Sequence, residues 1–263
     1  MPDNAKNPVI PNFTFGINQV FDAAFNSGWL TFPGHYLIYA ATGAFHLEVD
    51  RVRWLLPPQR AAWVAANVPF QLSAERPGTT NSVLFAQCAL PQPAMACSVF
   101  AVSTLAREML SYGVRWGSDR DEQDPTADTF FGALAAVCSE LAAAPDLFWL
   151  PCAQSPELRQ ALDYTLAHLS DKPTFAEVAA VVHVSERTLA RRCITETGMS
   201  WSQFAHRARM LRAMELLADP DITVIEVVDA VGFLSVSAFH HAFRTFTGET
   251  PSSYRKRAHP MKK

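Results

Sequence analysis

Residues 173 to 254 carry one helical pattern twice, and a duplicated local unit constrains a fold more tightly than any compositional average. Thr174 to Glu177 and Thr223 to Glu226 are both capping boxes, each with a threonine N-cap and a glutamate at N3 that reaches back to it. Each box opens a short apolar helix. A turn follows, then a serine, then a second helix that ends at a glycine. Ser185 through Gly198 matches Ser235 through Gly248 at an offset of 50, with Leu189 over Phe239 and Cys193 over Phe243. The capping boxes match at an offset of 49, so one residue is missing from the first turn. Gly232, Phe233 and Leu234 there face only His183 and Val184. His183 thus stands where the second copy has glycine, and a structural role at positive φ is expected of it. Helix, tight turn, helix, with buried residues at i and i+4 of the second, is the helix-turn-helix pattern. Between the copies, Ser200 to Asp219 reads as one helix about 28 Å long. Its expected buried stripe is Phe204, Ala208, Leu211, Leu216 and Leu217. Such a strut suits two reading heads about one DNA turn, roughly 34 Å, apart.

The first half of the chain has a different period. From Trp29 to Ser103, short runs rich in aromatic and β-branched residues are separated by Pro and Gly punctuation. The runs are Tyr36–Ala41, Ala44–Val49, Val52–Leu56, Ala61–Ala65, Phe70–Ser73, Ser82–Ala89 and Ser98–Val102. About seven strands at this spacing predict a sandwich or a small barrel. Phe45, Leu47 and Val49 alternate with His46, Glu48 and Asp50, as a strand with one wet face requires. Helical spacing takes over after Ser103, predicting helices over about 103–116 and 125–144. The second has an apolar stripe of Phe130, Phe131, Leu134, Val137, Cys138 and Leu141. Its other side is Ala133, Ala135, Ala136, Ala142 and Ala143, so it needs cover on two sides. A partner copy and the interior of a monomer are both open. Ala144 to Pro156, with three prolines, reads as the boundary between halves.

Of the 263 residues, 49% are hydrophobic and 18% charged, which excludes a disordered chain or a polyelectrolyte. The five cysteines (Cys88, Cys97, Cys138, Cys152, Cys193) include no CxxC pair, against a disulfide framework or a zinc finger. Lys6 is followed by no apolar run, and Phe130–Cys138 and Ala94–Ala101 are too short to span a bilayer. A cytoplasmic protein without membrane association is expected. Residues 1–154 hold 8 Lys and Arg against 13 Asp and Glu; residues 155–263 hold 14 against 12. The overall net charge of −3 therefore hides an acidic first half and a basic second half. Arginine outnumbers lysine 17 to 5, which suits bidentate recognition of phosphate or guanine and equally suits a GC-rich genome.

The segment from about Leu150 to Arg257 resembles the DNA-binding domain of the AraC/XylS family of transcription regulators. The carrying residues are Ser185 to Arg191, Gly198 to Ser200, Arg209 to Ala213 with Leu216-Leu217, Ala230 to Phe233, Ser237 to Phe239, Phe243, Gly248 to Pro251 and Tyr254-Arg255. Residues 35 to 110 resemble the family's cupin-like sensor domain more loosely, through Trp54 to Trp63 and Val102 to Glu108. The resemblance implies an α+β chain. A cupin-like β-barrel with helices at its end occupies 1–150, and an all-α domain with two helix-turn-helix motifs occupies 151–263. It also implies a sequence-specific regulator of transcription, with double-stranded DNA as partner and homodimerisation. RNA polymerase is a further partner if the protein activates.

With Leu189 and Cys193 inward, the first recognition helix turns Arg187, Ala190, Arg191 and Ile194 outward, positions that approach base edges in the family. Arg187 and Arg191 are each suited either to a guanine O6/N7 pair or to a phosphate. With Phe239 and Phe243 inward, the second helix turns Val236, Ser237, His240, His241 and Arg244 toward DNA. The family often has arginine at the position of His241, and a neutral imidazole gives a weaker, pH-sensitive grip. Arg207, Arg209, Arg212, Arg255 to Arg257 and Lys262-Lys263 are candidate phosphate neutralisers, and Arg209 alternatively supports packing between the heads.

An eight-stranded cupin-like barrel leaves room for one small molecule. The expected effector lining is Trp29, His35, Tyr39, Phe45, Trp54, Trp63, Phe70 and Phe85, an aromatic set favouring a flat or apolar ligand. The first half has only His35 and His46, with no HxH pair, and Phe70 stands where related cupins commonly carry histidine. No metal, cofactor or catalytic residue is expected, and no enzymatic role. Two modes of regulation stay open: control by an effector bound in the barrel, or constitutive DNA binding with the barrel as a dimerisation or partner-docking scaffold.

Overall fold

The computed structural model describes residues 11–86, 93 and 95–258. Cys88 and Lys262-Lys263 lie outside the described residues. The first half forms strands β1 (Phe15–Phe21), β2 (Phe25–Leu30), β3 (His35–Thr42), β4 (Phe45–Val49), β5 (Val52–Leu56), β6 (Arg60–Val64), β7 (Phe70–Ala74), β8 (Gly78–Phe85) and β9 (Cys97–Ala101). Helices α1 (Thr104–Gly113) and α2 (Pro125–Ala142) follow, then β10 (Trp149–Pro151). Two five-stranded antiparallel sheets result, one ordered β1-β8-β3-β6-β9 and the other β10-β5-β4-β7-β2. The described strands thus number ten against the seven runs read in the sequence, because β1, β2 and β10 were not anticipated there.

Alternation sorts the side chains of each sheet. Tyr36, Ile38, Phe45, Leu47, Val49, Phe70, Leu72 and Leu84 point between the sheets and fill that space. Leu37, Tyr39, Trp63, Val83 and Phe85 point to the other side of the first sheet. Phe131, Leu134, Ala135 and Cys138 of α2 and Leu110 of α1 cover them there. Ala135 therefore lies on the sheet side of α2, a correction to its expected place, while Ala133, Ala136 and Ala143 are exposed. Asp124 caps α2 by accepting from the Thr126 and Ala127 amides.

The outer face of the second sheet holds His46, Glu48, Arg53, Leu55, Gln71 and Ser73. The wet face predicted for β4 is not turned to solvent: the helical half packs on it, and Leu55 joins the same core as Leu150 and Phe204. The stretch expected as a boundary carries β10, whose Trp149, Leu150 and Pro151 pair with Trp54, Arg53 and Val52. The second half is α3 (Pro156–Ala167), α4 (Phe175–Val181), α5 (Glu186–Thr197), α6 (Trp201–Leu217), α7 (Val224–Ala230), α8 (Val236–Thr247) and α9 (Pro251–Ala258). All five residues of the predicted α6 stripe are buried. So are Met210, Ala213 and Met214, because α6 is enclosed by both helical pairs and the sheet. No helix among the described residues is long and apolar enough to cross a membrane.

Candidate nucleic-acid interface

The two helical pairs, α4–α5 and α7–α8, are built from the same local parts. Thr174 accepts from the Glu177 amide while the Glu177 carboxylate accepts from the Thr174 amide at 2.7 Å, and Thr223 and Glu226 repeat the exchange. Those hydrogen bonds from the N-cap threonines hold both carboxyls below the usual carboxylate range. Ser185 and Ser235 cap α5 and α8 by accepting from Thr188 and Ala238 amides. Gly198 at φ 71° and Gly248 at φ 79° end the same two helices in the left-handed region. In the turns, His183 takes φ 54° and Gly232 takes φ 73°, so histidine occupies the glycine position in the manner expected.

Burial of one side of each second helix fixes what the other side shows. Leu189 and Cys193 are buried in α5, and Phe239 and Phe243 are buried in α8, with ring centroids 5.6 Å apart. Arg187, Arg191 and Ile194 are consequently exposed on α5, with Ala190 half-buried beside them. On α8, Val236, Ser237, His241 and Arg244 are exposed. His240 is half-buried with its ring 6.1 Å from that of Phe239. Among the described residues, Arg187, Arg191 and Arg244 have no acidic partner and no side-chain hydrogen bond, so each faces outward as a free cation. Capped second helices with unpaired cations on their exposed sides have the chemistry for phosphate and base-edge contacts. The helix between them, α6, is about 26 Å long at 1.5 Å per residue.

Residues 178–257 match the helix-turn-helix domain family. Over 232 residues the chain is 28% identical to the HTH-type transcriptional regulator NimR of Escherichia coli, covering 86% of this chain and 82% of that one. That similarity spans both halves. The second half thus carries an AraC-type helix-turn-helix domain, and the chain as a whole is similar to an HTH-type transcriptional regulator. It is also 32% identical over 103 residues to the HTH-type transcriptional regulator VqsM of Pseudomonas aeruginosa, covering 39% of this chain and 31% of that one. Among solved structures, the C-terminal domain of AraT, a response regulator from Geobacillus stearothermophilus, is 32% identical with a TM-score of 0.37, covering 39% of this chain and 85% of that one.

Several of the regulator's expected phosphate contacts are instead engaged within the molecule. Arg212 pairs with Glu75 at 2.9 Å and Glu215 at 3.0 Å. Arg207 lies 4.7 Å from the ring centroid of Trp149. Arg257 pairs with Glu249 at 2.6 Å and reaches the Pro58 carbonyl oxygen. Arg209 and Arg255 are half-buried. The cause is common to the first three: each lies where the helical half meets, or borders, the sheets.

The eight residues expected to line an effector site are not brought to one cavity. Phe45 and Phe70 are buried between the sheets with Trp54 at their margin, whereas Tyr39, Trp63 and Phe85 lie beneath α1 and α2. Trp63 stacks on Phe85 with ring centroids 5.6 Å apart. Trp29 on β2 is 60% exposed, and His35 is buried with its Nδ1 accepting from the Ala66 amide at 3.1 Å. Strand alternation separates them, since odd positions of β3 and β6 face the helices and even ones the inter-sheet core.

The sequence reading missed a cluster of charges joining the two halves. His46 on β4 pairs with Glu215 near the end of α6, Glu75 pairs with Arg212, and Arg76 pairs with Asp219. Burial alone would lower the His46 pKa, but the charge and hydrogen bond of Glu215 outweigh it and raise the value above that of free imidazole. Burial would raise Glu215, and His46 and Arg212 together bring it below the usual carboxylate range. Each partner lies more than 130 positions from the other, so only the charged residues on the wet face of β4 hinted at it.

Proposed function

We propose that the chain is a sequence-specific, homodimeric transcription regulator of the cytoplasm that reads DNA with Arg187, Ala190, Arg191 and Ile194 of α5 and Val236, Ser237, His240, His241 and Arg244 of α8. The observation that carries this reading is the duplicated pair of capped helices with unpaired cations on their exposed sides. Arg187 and Arg191, one helical turn apart, grip guanine edges, and Arg244 and His241 grip the second half of the site. The exposed alanines of α2 supply the dimer contact, and RNA polymerase is the further partner where the regulator activates.

The N-terminal half acts as the sensor in this reading, binding a small-molecule effector that must prefer one arrangement of the two halves to alter transcription. One observation favours the constitutive alternative: Phe45 and Phe70 are fully buried in a packed inter-sheet core. A small-molecule library that shifts the thermal midpoint of the full chain with at least one member supports the sensor, and a library without effect supports the scaffold.

Selection of bound duplexes from a random pool, followed by titration of the selected operator, tests DNA reading. Arg191→Ala is expected to weaken operator binding by about 1–3 kcal/mol and to relax discrimination at one base pair. Equal loss on random DNA makes Arg191 a phosphate contact and removes it from the base-reading set.

A further inference from the structure

The outer face of the second sheet and the helices above it do not meet everywhere. A cavity of about 700 Å³ separates them, within the size range of small-molecule sites. Its two walls differ in chemistry. The sheet side presents His46, Gln71 and Ser73, while α3 and α6 present Leu166 and Leu211, with Glu215 at the margin. Among the described residues the Ser73 hydroxyl has no hydrogen-bond partner, and the Gln71 side chain bonds only to that of Asn26.

The charges along the cavity balance. His46, Arg53 and Arg212 stand against Glu48, Glu75 and Glu215, and each cation already has a carboxylate beside it. A net-charged occupant would have to break one of these pairs, and at His46–Glu215, the least exposed of them, it would leave a largely covered partner without compensation, which is costly. An uncharged molecule with an apolar face and a hydrogen-bonding edge meets no such penalty. Its apolar face would lie on the leucines and its edge on Ser73 and Gln71.

We propose that this cavity is the effector site: an uncharged, amphipathic small molecule binds between the second sheet and α6, rather than inside the barrel. This rests on the effector-controlled reading given above. The position explains how occupancy reaches DNA, because α6 joins the two helical pairs and its Arg212 and Glu215 are the residues paired to the sheet. An occupant that widens the gap strains those pairs, and one that fits it reinforces them.

The test uses the full chain and the uncharged fluorophore N-phenyl-1-naphthylamine, with its charged analogue 1-anilinonaphthalene-8-sulfonate as comparison. Saturable one-to-one binding of the uncharged probe is expected, with affinity lowered roughly tenfold or more by Ser73→Trp, which fills the cavity from the sheet side. Gln71→Trp is expected to act likewise and serves if the first variant does not fold. Phe70→Leu, a change inside the barrel, is expected to leave probe binding within about twofold. Absence of saturable binding, binding unaffected by both tryptophans, loss through Phe70→Leu alone, or tighter binding of the sulfonate overturns the proposal. Titration of the selected operator with probe present separates this from the broader reading. Probe binding lost in the tryptophan variants, with operator affinity unchanged by the probe, supports the site and overturns effector control through it.

Discussion

Two turn positions do the same backbone work with different residues. His183 and Gly232 both hold positive φ, a conformation glycine enters freely and histidine enters at some cost. A Cβ at Gly232 would stand 2.7 Å from the Leu169 carbonyl oxygen, whereas the first copy has already accommodated a side chain. Gly232→Ala is therefore expected to destabilise the fold by about 1–3 kcal/mol, and His183→Gly to change stability by less than about 1 kcal/mol. Urea unfolding of both variants checks the asymmetry, and equal losses would contradict it. Leu234 follows Gly232 in the longer turn and is 93% exposed at the start of α8, beside Val236. No packing in the described residues explains an apolar side chain there.

The helical pairs owe their regularity to short-range chemistry. Each capping box satisfies amides at a helix start that have no partner within the helix. Thr223→Ala is expected to cost about 1 kcal/mol, read as a lowered denaturant midpoint with the slope unchanged. A change below about 0.3 kcal/mol would mean that tertiary packing alone holds α7. Phe243→Ala, which empties the core behind α8, is expected to cost about 3–5 kcal/mol, measured by the same unfolding. Because the determinants of these elements lie within four or five residues of one another, caps, turn and buried pair were all readable in sequence, and β5 was read at its observed bounds. The strands β1, β2 and β10 were not. β1 reads Phe-Gly-Ile-Asn-Gln-Val-Phe and depends on pairing with β8, more than 55 positions away, while β2 has a register shift between Asn26 and Trp29. The three residues of β10 are a strand only because β5 lies beside them. The exposed residues of α5 and α8 followed from the inward pair and were legible, whereas the His46–Glu215 contact follows from the packing of one half on the other.

At the scale of the molecule, that contact ties the stability of the docked arrangement to pH. The His46 pKa is raised in the folded protein, so its contribution is present below the ordinary imidazole value and is lost as pH rises through the raised one. The Glu215 pKa is lowered, so its contribution is present above the ordinary carboxylate range and is lost as pH falls through the lowered value. Docking is therefore firmest between these limits. Arg53, Glu75 and Arg212 also face the pair. Raising the pH from about 6 to about 9 is expected to lower the unfolding free energy of the full chain, and His46→Gln is expected to flatten that slope. Identical slopes for both proteins would remove His46 from the account.

The covalent link between the halves adds a limit of its own. The Cys152 amide donates to the Arg51 carbonyl oxygen at 2.7 Å, and the Gln154 and Ser155 amides both donate to the Glu196 carboxylate at 2.8 Å. Between β10 and α3 only four residues remain, a leash of about 14 Å even when pulled straight. The DNA-binding half is thus confined to swivelling about a point near its own first helix, and any longer reach has to be made by carrying the first half along.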